Sequence, residues 1–496
     1  MYLFSFLAIA VGLLRTKVYA VPAEVLQPIG GTNQGATNRM VFAHFMMGIV
    51  PNRNSSEDYD NDMKLAHAAG IDAFALNIGT DPYNVEQLKY AYASAAGNNM
   101  KVFISFDMVY FTPDNPSTPD MVGSLIKQFA DEAAQLKVDG KVFVSSFIGD
   151  SVNVQAIRDA AGVQIFFAPN FHPTQTQSSE GLNAALNWQA WDSDGAGRAP
   201  KSGLNISVAQ YDKTYTDWLE GKDYIAPVSP WFHTHYGNEV SYPKNWVYPG
   251  DLLWWNRWNY LLSLDDTVAP RFVEILTWND YGESHYIGPL SSKHTDDGNS
   301  KWANDMPHLG FLDMAAPFIK AYKSGAKTVS EFEADKLIYW YRPTPRSIQC
   351  SETDTVGAPP DGFETLEDRI FVVSLLAEPA LVSITSGSNT QTFNAAAGAN
   401  AFSLPMAVGP QAFSLTRSNA IILQETSLRE VVNECICGLY NFNTYVGTVP
   451  SANGVPDHLD DVALASFKNG LKNTTCEARP SLVRPAAVAA ATRSLP

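Results

Sequence analysis

What most constrains this chain is an alternation that runs from Val41 to Asp280. Short apolar runs, many of them β-branched or aromatic, take turns with stretches whose apolar residues recur at helical spacing. This pattern marks β/α units on a parallel sheet, because parallel neighbours need a long crossover and a helix supplies it. The runs predict strands at residues 41–47, 73–77, 102–107, 142–147, 164–169 and 273–278, with weaker ones at 185–191 and 225–230. Helices are expected at 58–69, 85–98, 120–136 and 152–160, the first capped by Ser55-Ser56-Glu57-Asp58. Eight strands over about 240 residues fit a (β/α)8 TIM-type barrel. An open doubly wound sheet is the alternative, but the glycine-rich nucleotide loop it usually carries is absent from the sequence.

Barrels gather their chemistry where the strands end. The residues closing these strands are His44, Asn77, Asp107, Asn170, Asp192, Trp231, Asp280 and Glu283. Singly, each reads as a cap or a loop hydrogen bond; together they read as a site. Residues 272–286, F-V-E-I-L-T-W-N-D-Y-G-E-S-H-Y, are the sharpest case: an apolar strand delivers Asp280 and Glu283 among Trp278, Tyr281 and Tyr286. An arbitrary D-x-x-E is an N-cap and a surface glutamate. At a strand mouth among aromatic rings it suits glycoside cleavage, in which one carboxyl protonates the leaving oxygen and the other activates water or attacks. In an irregular turn the two carboxyls would lie roughly 5–10 Å apart, which spans both the retaining and the inverting geometry. Asp107 is a third acid that acts or orients the others.

Six of the eleven tryptophans fall between Trp231 and Trp278. Trp254 and Trp258 read as the buried face of a helix over 252–264, whereas Trp191, Trp231 and Trp278, at strand ends, are expected to stack on sugar. His233 and His235 lie in W-F-H-T-H-Y without an H-E-x-x-H pattern or a nearby third ligand, so they are assigned to substrate hydrogen bonding, His235 above all, or to a loop role, rather than to metal. The sequence has no G-x-S-x-G elbow and no P-loop, which leaves carboxylates as the reactive groups.

The formal charge of −17 argues against a nucleic-acid partner, and 12% aromatic against 17% charged residues suits a neutral polymer. Residues 1–20 read as a secretion leader, with an apolar run over 2–14 too short to span a bilayer and Val18-Tyr19-Ala20 at the cut. In that compartment Cys350, Cys435, Cys437 and Cys476 imply two disulfides with three possible pairings; Cys435 and Cys437 are expected to bond elsewhere than to each other. Asn54, Asn205 and Asn473 open glycosylation triplets. Beyond Arg346 short alternating runs at 370–376, 380–385 and 412–416 replace the helical pattern, as in an antiparallel sandwich. The expected organisation is a leader over 1–20, a catalytic barrel over 21–345, a β-sandwich-like region over 346–476 and a disordered tail over 477–496.

Five segments carry a family resemblance. V-F-A-H-F-M-M-G (41–48), A-A-G-I-D-A-F-A-L-N-I-G (68–79), F-I-S-F-D-M (103–108), Y-I-A-P-V-S-P-W-F (224–232) and T-W-N-D-Y-G-E-S-H-Y-I-G-P (277–289) resemble the fungal α-1,3-glucanases, or mutanases, of glycoside hydrolase family 71. The likeness runs from about Arg39 to Arg342. It implies a (β/α)8 barrel with a β-sandwich, hydrolysis of α-1,3-glucan with inversion, no metal and no cofactor, and catalysis by Asp280 and Glu283. Tyr281 stands where relatives often carry tryptophan. Glu283 is assigned as general acid, because an aromatic pocket raises a carboxyl's pKa, and Asp280 as the group that activates water; the roles are interchangeable. The site would be completed by His44, Asn77, Asp107, Asn170, Trp191, Trp231, His235, Trp278 and Tyr281. The protein is expected to be a secreted or wall-associated monomer with a polysaccharide partner and, once the leader is removed, no membrane contact. The alternatives are a glucan-binding protein without turnover and a glucanase of another linkage.

Overall fold

The computed structural model describes residues 38–176, 178–330, 332–451, 457–473 and 475–477. The expected leader lies outside them, as does the expected tail beyond Glu477.

The first part of the chain runs β1 (Met40–Met46), α1 (Glu57–Ala68), β2 (Ala73–Ile78), α2 (Asn84–Gly97), β3 (Lys101–Asp107), α3 (Thr118–Phe129), β4 (Lys137–Val138), β5 (Lys141–Phe147), α4 (Val154–Ala161), β6 (Ile165–Phe167), β7 (Ala184–Leu186), α5 (Val208–Leu219) and β8 (Asp223–Val228). A hairpin follows, β9 (His233–Tyr236) and β10 (Lys244–Val247), then α6 (Leu253–Ser263), β11 (Phe272–Ile275), α7 (Ser300–Ala303) and α8 (Leu309–Ser324). One nine-stranded sheet has the order β4-β5-β3-β2-β1-β11-β8-β7, with β6 on β5, and every pairing in it is parallel except β4–β5.

The sheet is strongly curled. β5 and β11 are four strands apart, which in a flat sheet means about 19 Å, yet the rings of Phe143 and Phe272 are 5.7 Å apart. Alternation explains how. Phe42, Phe103, Phe143, Phe166 and Phe272 point to one side and pack as a plug, while their neighbours Val41, Phe45, Val102 and Val273 face the helices. Between β6 and β7, Asn183 N donates to Phe167 O and Leu186 N to Pro169 O, both at 2.9 Å.

Two local readings differ from the structure. The helix expected to reach 136 stops at Phe129, because residues 134–136 are taken up beside β3, with Val102 N donating to Ala134 O and Leu136 N to Val102 O, both at 2.9 Å. Asp139 and Gly140, both at positive φ, then turn the chain back as a tight hairpin that makes β4. Ser56 stands at the N-cap of α1 with helical backbone angles and makes no side-chain cap.

The remaining strands are β12 (Lys336–Tyr341), β13 (Arg369–Leu376), β14 (Ala380–Ser386), β15 (Asn389–Ala395), β16 (Gly398–Pro405), β17 (Gln411–Arg417), β18 (Ala420–Thr426) and β19 (Tyr445–Val449). They form two antiparallel four-stranded sheets, β16-β13-β12-β19 and β15-β14-β17-β18. Leu337, Tyr339, Ile370 and Val372 of the first pack with Val382, Ile384, Phe413 and Leu415 of the second. This β-rich region starts at Lys336, ahead of the boundary expected at 346, because β12 is the centre of its first sheet. Cys350 pairs with Cys435 and Cys437 with Cys476. Cys435 stands at the start of the short turn Ile436–Gly438 and Cys437 lies inside it at positive φ, so the two bond to different partners.

Candidate active site

Register brings the strand ends level. Met46 is opposite Asn77, and Asp107 opposite Phe147. These four residues form one wall of a cleft of about 330 Å³, and His44, two positions before Met46, forms its floor. His44 Nδ1 is 2.9 Å from Glu274 Oε1, and its ring meets the edge of Trp188 at 4.8 Å. Five aromatic side chains complete the lining: Trp188, which also packs edge-on to Phe147 at 4.8 Å, and Trp191, Phe232, Trp246 and Tyr248.

Asp280 and Glu283 line the same cleft. The loop that carries them is pinned from both sides. Asn279 exchanges hydrogen bonds with the Met46 backbone, accepting from its N at 2.7 Å, while Trp278 N donates to His44 O at 2.7 Å. Asp280 N donates to Thr277 Oγ1 at 2.8 Å, and Asp280 Oδ1 accepts from Glu283 N at 3.0 Å, so the aspartate caps the short turn that presents the glutamate. The glycine between them is required by a close approach: a Cβ on Gly282 would lie 2.4 Å from Tyr236 Oη.

Two cations meet Glu283. Lys244, from β10, donates to Oε1, and His285 Nε2 lies 3.0 Å from Oε2 and 3.6 Å from Asp280 Oδ2. One carboxylate oxygen each of Asp280 and Glu283 and a ring nitrogen of His285 all lie within 4.8 Å of one another, so the two carboxyls stand closer than the roughly 5–10 Å expected of them. The buried His285 ring is stacked on Phe232 at 5.6 Å and meets Trp191 edge-on at 5.4 Å. Burial alone would lower its pKa, but the bonds to Asp280 and Glu283 outweigh that and raise it to about 9. Burial pushes the Glu283 carboxyl up, yet the Lys244 charge and the His285 bond prevail and hold it far below the carboxylate range. This reverses the expectation drawn from an aromatic pocket: the pocket is aromatic, but two cations reach into it. Across the cleft, burial raises the Asp107 carboxyl against a hydrogen bond from Val109 N.

Of the residues singled out in the sequence, Asp280, Glu283, His44, Asn77, Asp107 and Trp191 line this cleft. Asp192 lies off it, half-buried, and accepts from Val208 N at 3.0 Å; Trp231, Trp278, Tyr281, Asn170 and His235 lie off it and buried, each with a polar atom held by the protein. Trp278 Nε1 donates to Asp62 Oδ1 at 2.9 Å beneath the loop, and Trp231 Nε1 to Phe442 O at 2.9 Å. Tyr281 Oη donates to Pro289 O at 2.7 Å, and Asn170 Nδ2 to Leu186 O at 3.0 Å. His235 is 2.7 Å from both Asn245 Oδ1 and Asp354 Oδ2. In their place stand Trp188, Trp246, Tyr248 and Lys244. Trp188 continues the inward alternation Ala184, Leu186, and so was within reach of a pattern argument; Lys244 and Trp246 sit on a hairpin with no such signal.

The model of the family described as Glycosyl hydrolase family 71 matches residues 37–459. Among curated proteins, the chain is 40% identical over 422 residues to a mutanase of Penicillium rubens, covering 84% of this chain and 90% of that protein. It is 36% identical over 430 residues to a glucan endo-1,3-alpha-glucosidase of Schizosaccharomyces pombe, covering 83% and 95%. An ascus wall endo-1,3-alpha-glucanase of the same yeast is 27% identical over 437 residues, covering 82% and 96%.

Proposed function

The chain belongs to glycosyl hydrolase family 71, and we propose that it hydrolyses α-1,3-glucosidic bonds in α-1,3-glucan with Asp280 and Glu283 as the reacting carboxyls. The observation that carries this reading is that both acids share one aromatic-walled cleft with a buried imidazole between them. The relatives' names supply the linkage. Half-buried Trp188 offers a face on which a glucosyl ring stacks, while Trp246, also half-buried, carries the Arg198 guanidinium 3.9 Å over its ring and lines the cleft beside Phe232.

In an inverting reaction the carboxyl that is ionised at rest takes the proton from water, and its partner protonates the leaving oxygen. Held ionised by Lys244 and His285, Glu283 is the base; Asp280 serves as the acid by taking the proton of the His285 imidazolium, 3.6 Å from its Oδ2, and passing it to the leaving oxygen. Two substrates test this. An α-glucosyl fluoride needs no acid, so Asp280→Asn retains hydrolysis of it while Glu283→Gln does not. The reverse pattern exchanges the roles, and a product of retained anomeric configuration rules out the inverting scheme.

The finer architecture is part of the same proposal: eight parallel strands closing as a (β/α)8 barrel, with the two later sheets as a sandwich. The hydrogen bonds from Asn183 and Leu186 across the β6–β7 seam support closure, and the core shared by the two later sheets supports the sandwich. No helix among the described residues is long and apolar enough to cross a membrane. Asn54, Asn205 and Asn473 are exposed, as glycan acceptors on a secreted, wall-directed enzyme must be. We read the protein as a monomer.

A further inference from the structure

We infer that Asp354, from the segment that follows the curled sheet, is a positioning residue for the cleft: through His235 and Asn245 it holds the β9–β10 hairpin that carries Lys244 and Trp246. The inference rests on the reading of Glu283 as a reacting carboxylate only insofar as Lys244 acts on it.

Alternation along β10 separates two tasks. Lys244 and Trp246 face the cleft, and Asn245 between them faces away. Asn245 Oδ1 meets His235 Nδ1 at 2.7 Å across the hairpin, and its Nδ2 donates to Ala358 O and Pro359 O at 3.2 and 3.3 Å. His235 Nε2 in turn meets Asp354 Oδ2 at 2.7 Å. Both ring nitrogens therefore face oxygen, and the partner at one of them is a carboxylate.

Asp354 is fully buried and tied on every side. Its Oδ2 also accepts from Tyr440 N at 2.7 Å and its Oδ1 from Val356 N at 2.8 Å, while its own N donates to Cys350 O at 2.8 Å, beside the Cys350–Cys435 disulfide. A second tie lies farther along, where Val247 N donates to Asp361 O at 2.9 Å and Asp361 N to Asn245 O at 3.1 Å. A two-stranded hairpin is marginal by itself, and this one is held in place by residues 354–361. The region after the sheet is thus part of the cleft's construction rather than an appendage to it.

The test compares Asp354→Asn, Lys244→Met, Trp246→Ala and the double variant Asp354→Asn/Lys244→Met in the full chain. Readouts are kcat and KM on soluble α-1,3-gluco-oligosaccharide, the acid limb of the pH profile, and oligosaccharide binding followed by tryptophan fluorescence. The groups acting on Glu283 are Lys244 from the hairpin, Asp280 and His285 from its own loop, and Tyr248, with Asp297 acting on Lys244. Only the first of these depends on Asp354. The expected result is a loss in kcat/KM of at least about tenfold for Asp354→Asn, with the acid limb moved to higher pH as in Lys244→Met. In kcat the double variant should lose little more than Lys244→Met alone, since coupled residues do not add.

Losses in kcat that multiply in the double variant, or a lowered Tm with kinetics, pH limb and binding unchanged, overturn the inference. Should Asp354→Asn not fold, Asn245→Ala is read by the same criteria, because it cuts the link without stranding a buried charge. If Lys244→Met changes nothing while Asp354→Asn weakens oligosaccharide binding as Trp246→Ala does, the latch stands and the reading of Glu283 falls.

Discussion

His285 Nε2 lies 3.0 Å from Glu283 Oε2, at the end of a ring clamped between Phe232 and Trp191. The imidazole is buried and cannot turn to water, so its charge and that of Glu283 are settled together. A carboxylate so placed starts the reaction ionised.

The pH dependence of stability follows from this pair. His285 is raised to about 9 in the fold against about 6.5 in the unfolded chain, so its contribution is complete below that lower value and lost as pH rises through about 9. Glu283 is depressed, so its contribution is present above an unfolded value of about 4.3 and lost as pH falls. Thermal unfolding against pH should show a plateau from about 5 to 6.5 with a decline above it, and His285→Gln should flatten that alkaline decline. An alkaline slope unchanged in His285→Gln contradicts the pairing.

Lys244→Met removes the first-ranked charge holding Glu283 ionised. The acid limb of kcat/KM should move to higher pH, and the value at mid-acid pH should fall by about ten- to a hundredfold, equivalent to one or two pKa units. Kinetics across the acid range, with an expanded set of buffers, measure it.

The tryptophans should divide into two kinds. Trp188→Ala loses a stacking face and Trp246→Ala an aromatic lining of the cleft, so KM rises by about tenfold while kcat changes less and Tm is nearly kept. Trp278→Ala opens a cavity under the loop and takes one hydrogen bond from Asp62, which keeps Ser292 and Arg53, costing about 3–5 kcal/mol of stability. Steady-state kinetics beside thermal denaturation separate them.

Gly282→Ala places a methyl 2.4 Å from Tyr236 Oη and should displace the turn bearing both carboxyls. Activity should fall by about a hundredfold or more, the scale of a misplaced reacting group. The double variant with Tyr236→Phe, which removes the obstructing hydroxyl, should recover part of it. Failure of that rescue would place the glycine's role elsewhere.

Much of this was legible in the sequence for a physical reason. The β1, β2, β3 and β5 strands lie within a residue of their apolar runs, because burial on both faces leaves an unbroken signature. Asp280 and Glu283 stood out because two charges at the end of such a run have few structural uses. The side a residue takes once its strand has ended was less legible. β11 stops at Ile275, and Trp278, free of its alternation, turns under the loop to Asp62. Least legible was Lys244, whose place depends on Asp354, 110 residues along the chain, through a hairpin that no local periodicity announces.

The most direct test is reducing-sugar release from insoluble α-1,3-glucan by the wild-type protein, Asp280→Asn and Glu283→Gln, with α-1,4- and β-1,3-glucan as controls. The account predicts release from the α-1,3 polymer alone, abolished in both variants while their Tm stays near that of the wild type. Full release by either folded variant, or none from folded wild type on the α-1,3 polymer, would contradict it.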